Sequence, residues 1–133
     1  MTNIEFAELM KNRTKVLAVR VIKLFQSLPK TDETRIIGKQ LLRSATSVAA
    51  NYRAACRARS QPEYYSKVCI VVEEADETLF WLEILIEANI ISQSKLCLLQ
   101  DETLEILAIL SKAKSSIRRN NSTTQQLNNS TTQ

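Results

Sequence analysis

Apolar residues recur every three or four positions along most of the chain, which is the spacing of one face of an α-helix. This spacing predicts four helices, over residues 4–28, 33–59, 61–88 and 95–119. Short polar connections separate them. Pro29 ends the first helix because proline removes a backbone donor and disfavours helix in the residue before it. Ser60, Pro62 and Glu63 are typical of a helix start, since Ser60 can cap the Glu63 amide.

The predicted helices carry apolar positions on one side. The third helix has a heptad seam of seven residues, namely Tyr65, Val68, Val72, Ala75, Leu79, Leu82 and Ile86. A seam of this kind is typical of a helix that packs at a shallow angle against long neighbours. Connections of a few residues cannot cross the length of a bundle, so consecutive helices should be antiparallel. The sequence therefore predicts an all-α, up-down-up-down four-helix bundle over residues 1–119.

The last fourteen residues, 120–133, differ from the rest. The block Asn-Asn-Ser-Thr-Thr-Gln occurs at 120–125 and again at 128–133. Only Leu127 in this segment could join a core. We expect a flexible, low-complexity polar tail here.

The composition excludes several kinds of catalytic site. The chain has no histidine, one glycine and three cysteines. Imidazole chemistry is therefore excluded, and a phosphate-binding glycine loop is not expected. Cys56, Cys69 and Cys97 are expected to be reduced thiols among apolar neighbours. The acidic cluster of the third helix at residues 73–77 could suggest a metal, but di-metal bundles also need inward ligands from other helices, where this chain has apolar residues. We expect no enzyme activity, metal or cofactor.

No stretch of 18 uncharged apolar residues occurs, so no membrane-spanning helix is expected. The first residues also lack the basic and apolar regions of a signal peptide. The sequence therefore predicts a cytoplasmic protein.

Charge is unevenly distributed along the chain. Residues 31–61 hold six basic and two acidic side chains, whereas residues 62–91 hold seven acidic and one basic. Arg35, Lys39, Arg43, Arg53 and Arg57 of the second helix project within an arc of about 80°, and Arg59 follows at the end of the predicted helix, outside this arc. The six candidate nucleic-acid-binding residues are Arg35, Lys39, Arg43, Arg53, Arg57 and Arg59. We name these six the basic stripe.

Two interpretations of the basic stripe stay open. It could pair with the acidic third helix, within one bundle or between subunits. Alternatively, it could contact the phosphates of RNA or DNA, with further basic residues from the first helix. Arginine favours the second interpretation because its guanidinium binds phosphate oxygens bidentately.

Aromatic residues of the third helix suggest a second surface. Phe80 and Trp81 are adjacent, so they point in different directions and make that turn apolar nearly all round. Tyr64 lies nearer the start of the helix. We interpret Tyr64, Phe80 and Trp81 as candidates for a homo-oligomer interface. A single bundle would leave part of a helix turn that is apolar nearly all round exposed to solvent.

Residues 40–60, with Lys67 and residues 72–83, resemble a bacterial family of four-helix proteins. These are the 23S rRNA intervening-sequence proteins, also called S23 ribosomal proteins, and they are similar to the accessory variability determinant protein of diversity-generating retroelements. The match is most specific at Arg43, Ser44, Ser47 and Asn51. Many relatives have Glu-Gly after this motif, where this chain has Arg53-Ala54 or Ala54-Ala55, which indicates a more basic branch.

The resemblance implies a homo-oligomer, pentameric in this family, whose basic surface contacts nucleic acid and which has no enzymatic activity. It also suggests a reverse transcriptase as a partner. Together with the basic stripe, it predicts a non-catalytic, nucleic-acid-associated accessory protein. The alternative is a protein-interaction module whose basic stripe is covered by a subunit or partner.

Overall fold

The chain folds into four long helices. A computed structural model describes the backbone of residues 1–131 and the side chains of residues 1–118 and 120. The helices are α1 (Asn3–Ser27), α2 (Asp32–Ala55), α3 (Gln61–Glu87) and α4 (Gln93–Thr131). Each helix packs against the next one along the chain, and α1 also contacts α4. The predicted all-α fold of four sequentially packed helices is confirmed.

Local hydrogen bonds explain where most helices begin and end. Thr2 and Glu5 form a capping box at the start of α1, and the side chain of Thr31 caps α2. The Ser60 hydroxyl accepts a bond of 3.2 Å from the Glu63 amide, as the sequence predicts. After α3, Asn89 has a positive φ of 56°. The Ile90 amide then donates to the carbonyl of Leu85 at 3.0 Å, which satisfies a carbonyl at the end of the helix.

The predicted end of α2 at residue 59 is wrong, because α2 stops at Ala55. The amides of Arg57 and Ala58 bond to carbonyls only three residues earlier, so the last turn tightens. The Arg59 amide then donates to the Glu63 carboxylate at 3.2 Å rather than to a helical carbonyl. Two residues of the basic stripe, Arg57 and Arg59, therefore lie in the α2–α3 connection.

The predicted end of α4 at residue 119 is also wrong, since the helix continues to Thr131. No glycine or proline follows Pro62 anywhere in the chain. The polar repeat therefore contains no residue that stops a helix, although its composition suggested a flexible tail. The division into a bundle and a separate tail remains a prediction.

The core receives side chains from all four helices. Its largest fully buried members include Met10, Leu17, Leu41, Tyr52, Leu82, Leu85, Ile106 and Leu110. Buried serine and threonine hydroxyls of the core form hydrogen bonds. Thr14 and Thr103 each donate to the carbonyl four residues earlier at 2.8 Å. The hydroxyls of Ser44 and Thr78 are 3.0 Å apart and link α2 to α3.

The buried face of α3 differs from the predicted heptad seam. Val71, Thr78 and Leu85 are buried, whereas their neighbours Val72, Leu79 and Ile86 are half-buried. The helix packs between α2 and α4, so it must bury a face broader than a two-position seam. Thr78 was overlooked because threonine is polar, yet its hydroxyl is satisfied by bonds to Ser44 and the Glu74 carbonyl.

Gly38 allows α2 to approach α1 closely. A Cβ atom at this position would lie 2.9 Å from Cδ2 of Phe25 and 3.2 Å from Cδ1 of Leu28. Phe25 is half-buried and packs against the core, so a side chain at residue 38 would have to displace this ring. The absence of a side chain at Gly38 therefore sets the spacing of the two helices.

We predict that Gly38→Ala lowers the free energy of unfolding by about 1 kcal/mol. Alanine favours helix by about 1 kcal/mol over glycine, but overpacking a core costs about 1–3 kcal/mol. Urea denaturation measures the difference. In a chain that already carries Phe25→Leu, the smaller side chain relieves the overpacking, so Gly38→Ala should then increase stability through its helix propensity. An increase in stability for Gly38→Ala alone would contradict the proposed close packing.

Candidate nucleic-acid interface

A basic groove lies between α1 and α2. Lys11 and Lys15 border it on the α1 side, and Arg53 and Arg57 border it on the α2 side. The remaining lining residues are Glu8, Asn12, Thr46, Ala49, Ala50 and Cys56, and the groove encloses about 610 Å³. We call this the basic groove. Its volume falls within the range of about 300–1,000 Å³ that is usual for ligand sites.

Helix geometry explains the arrangement of the four basic side chains. Lys11 and Lys15 are four residues apart, so they lie one turn apart on the same side of α1. Arg53 and Arg57 have the same spacing across the groove, at the end of α2 and in the turn that follows. Small side chains lie between them, so no bulky group fills the groove.

The charges of the basic groove are only partly compensated. Lys11 forms an ion pair of 2.5 Å with Glu8, one turn earlier on α1. In the part of the chain with described side chains, no acidic group forms an ion pair with Lys15, Arg53 or Arg57. Arg53 and Arg57 are also exposed. The groove therefore presents positive charge to solvent.

A second basic cluster lies near the α1–α2 turn. Lys30, Arg35 and Lys39 border a smaller cavity of about 220 Å³ beside Pro29. Arg35 is 3.4 Å from Asp32 in the preceding turn of α2, and both side chains are well exposed. Arg35 and Lys39 of this cluster lie on the same helix as Arg53, but even Lys39 is about 20 Å from it along the helix, given a rise of 1.5 Å per residue.

Arg43 turns away from the rest of the basic stripe and contacts α3. Its guanidinium pairs with Glu77 and lies 3.2 Å from Oε2 of Glu74. The hydrogen bond from Arg43 lowers the pKa of the Glu77 carboxyl below its ordinary value, and a bond from the Trp81 indole contributes. Arg43 therefore follows the first interpretation of the basic stripe, in which its residues pair with α3 within the bundle.

Arg59 and Tyr64 lie at the end of the bundle, apart from the other candidates. Both border a cleft of about 600 Å³ between the start of α1, the α2–α3 connection and α4. We call this the end cleft. Tyr64 is half-buried, and burial raises the pKa of its hydroxyl, with the nearby Cys56 adding to the effect. Cys56 borders both the basic groove and the end cleft.

The three candidate interface aromatics do not form one surface. Trp81 is half-buried against the core, and its indole N–H donates to Glu77 at 3.3 Å. Phe80 is 47% exposed and packs edge-on against Trp81, with ring centroids 4.9 Å apart. Tyr64 lies at the end of the bundle, about four turns away along α3. Of the three, only Phe80 and Trp81 lie together.

Sequence reasoning missed the contribution of specific α1 residues. It expected basic residues from the first helix but did not identify Lys11 and Lys15. The four-residue spacing of these two lysines places them on the same side of a helix and could have identified them. It also overlooked apolar exposure on α1, where Leu9, Val16 and Val19 are each more than 40% exposed.

Other sites are not apparent in the described residues. No helix there is long and apolar enough to cross a membrane. The same residues contain no cluster of three or more potential metal ligands. Cys56, Cys69 and Cys97 are half-buried free thiols.

Comparisons with known proteins agree with the fold. A family model described as 23S rRNA-intervening sequence protein matches residues 9–112. A crystal structure from Bacteroides thetaiotaomicron VPI-5482, a protein of unknown function in the S23 ribosomal protein family, is similar as well. It is 32% identical, with a TM-score of 0.74, and the similarity covers 79% of this chain and 97% of that one. No curated protein matches the chain.

We predict that Arg43→Gln destabilises the bundle by up to about 1 kcal/mol at pH 7, the usual upper range for a partly exposed ion pair. Because the folded pKa of Glu77 is lowered, its contribution is present above the ordinary value of 4.5 and is lost as pH falls through the lower folded value. The difference between wild type and variant should therefore shrink in urea denaturation at pH 3. Arg35→Gln is the control, and an equal effect of both substitutions would contradict the specific role of Arg43.

Proposed function

The chain belongs to the 23S rRNA-intervening sequence protein family, and we propose that it is a non-catalytic accessory protein that binds the phosphate backbone of RNA or DNA. The observation that carries this proposal is the basic groove. It brings together Lys11, Lys15, Arg53 and Arg57 in a recess that is also lined by the small side chains of Thr46, Ala49 and Ala50. Groups of this kind neutralise phosphates and account for most sequence-independent binding.

The chemistry of the basic groove favours backbone contacts over base recognition. No aromatic side chain borders it. Thr46 donates its hydroxyl to the Leu42 carbonyl at 2.8 Å, so that proton is already used within α2. Contacts to phosphates position a protein on nucleic acid but do not read its sequence. We therefore propose binding with little sequence preference.

The remaining basic residues extend this surface. Arg35 and Lys39 supply a second cluster on α2, and Arg59 lies beyond the groove at the end cleft. Arg43 contributes least, because Glu74 and Glu77 compensate its charge. In this proposal the basic stripe is two separate clusters rather than one continuous track.

A second candidate function is a homo-oligomeric interaction module. The observation that favours it is the outer face of α3, where the exposed Phe80 lies among exposed acidic residues, with Asp76 and Glu83 within one turn. An aromatic side chain with a polar rim is common at protein interfaces. A basic surface of a second copy would complement this face. Light scattering on Phe80→Ala tests it, since loss of an oligomer supports this candidate and an unchanged mass opposes it.

We predict that Arg53→Glu combined with Arg57→Glu weakens nucleic-acid binding at least tenfold. Two phosphate contacts are lost, so the dependence of log affinity on log salt should become shallower by roughly 1 per contact. Fluorescence anisotropy with labelled RNA and DNA, measured over a range of salt concentrations, gives both quantities.

The matched control carries the same change of charge at a distance. Lys23→Glu with Lys95→Glu alters two exposed side chains near the end of α1 and the start of α4, at the opposite end of the bundle from the end cleft. It should reduce affinity only slightly, through long-range electrostatics. Equal losses in both double variants, or no binding by the wild type at low salt, would rule out the groove as a nucleic-acid site. Circular dichroism checks that each variant is folded.

A further inference from the structure

The basic groove and the end cleft adjoin each other. Cys56, the residue that follows α2, borders both of them. Arg57 borders the groove and Arg59 borders the cleft, so positive charge continues along the α2–α3 connection from one to the other. Residues 56–62 of the connection contain no acidic side chain, and the nearest acidic groups are Glu63, which accepts from the Arg59 amide, and Glu8 in the groove. An extended ligand in the groove would therefore reach the end cleft along a connection that is mainly basic.

The two cavities differ in chemistry. Four cationic residues and small side chains border the basic groove, which has no aromatic ring. The end cleft has the rings of Phe6 and Tyr64, and the amide side chains of Asn3 and Gln61. Aromatic faces stack on nucleobases, and amide groups can bond to base edges. The groove therefore suits phosphates, whereas the cleft suits a base.

Tyr64 is the residue best placed to stack in the end cleft. It is half-buried at the start of α3 and borders the cleft, whereas Phe6 packs against the core. A tyrosine hydroxyl is neutral at pH 7, and burial raises the pKa of Tyr64 further, so the ring adds no negative charge beside a phosphate. Arg59 adds a cation to the same cleft, where it can contact a phosphate or stack on a base.

We propose that the chain binds single-stranded nucleic acid, with phosphates along the basic groove and an unpaired nucleobase stacked on Tyr64 in the end cleft. This inference rests on the proposed function and names its substrate class. A base must leave its stack to enter the cleft, which is easiest in a single strand and costly in a duplex. Both RNA and DNA offer phosphates and unpaired bases, so the experiment tests RNA and DNA separately.

The experiment compares single strands with duplexes of the same sequence, as RNA and as DNA, on the full chain. We expect single strands to bind at least tenfold more tightly than duplexes at equal salt. Tyr64→Leu should weaken single-strand binding about tenfold, within the range known for base–aromatic stacking, and should leave duplex binding unchanged. Tyr64→Phe keeps the ring and is the matched control, so it should bind like the wild type.

A strand carrying 2-aminopurine gives a direct readout of stacking. Its fluorescence should be quenched on binding to the wild type and to Tyr64→Phe, but not on binding to Tyr64→Leu. Equal affinity for single strands and duplexes, or an unchanged affinity and quenching in folded Tyr64→Leu, would overturn the inference. In that case a salt-dependent loss in the Arg53→Glu, Arg57→Glu double variant would still support the proposed function. Absence of any binding by the wild type would remove both.

Discussion

The close contact of α2 with α1 at Gly38 fixes the relative position of the functional residues. The phenyl ring of Phe25 occupies the space that a side chain at Gly38 would need. Moving fourteen residues back along α1 from this contact leads to Lys11, and moving fifteen residues forward along α2 leads to Arg53. Antiparallel helices rise equally per residue, so the register set at Gly38 also places Lys11 opposite Arg53. A slip of either helix would separate the two rows of positive charge.

Most of the fold could be predicted from the sequence, because helix periodicity and turn signals act locally. Pro29 and the Ser60–Glu63 cap identified two connections without any tertiary information. The errors occurred where local signals were weak. The end of α2 depends on Glu63 competing for the Arg59 amide, and the end of α4 lacks a residue that stops the helix. The burial of Thr78 depends on a partner in another helix.

The candidate site was only partly predictable, since side-chain partners depend on tertiary packing. A helical projection placed Arg43 and Arg53 on one basic arc, but neighbouring helices divide that arc. Arg43 lies near two carboxylates of α3, whereas Arg53 faces two lysines of α1. Likewise, Tyr64 and Arg59 border the same cleft because α1, α3 and α4 meet at that end. A projection of one helix cannot contain this information.

The opposite charges of α2 and α3 have a consequence for how a polyanion would approach. The bundle carries only a small net charge of +4, but its outer α3 face is acidic and its α1–α2 face is basic. The field is therefore that of a dipole, which repels phosphates from one side and attracts them to the other. Screening by physiological salt acts over about 8 Å, less than the diameter of a single helix with its side chains. Steering from a distance would then be weak in the cell, and affinity would depend on direct contacts in the groove. Affinity would require phosphates to contact basic residues on both sides of the groove at once, which is why the geometry of the groove matters more than the net charge.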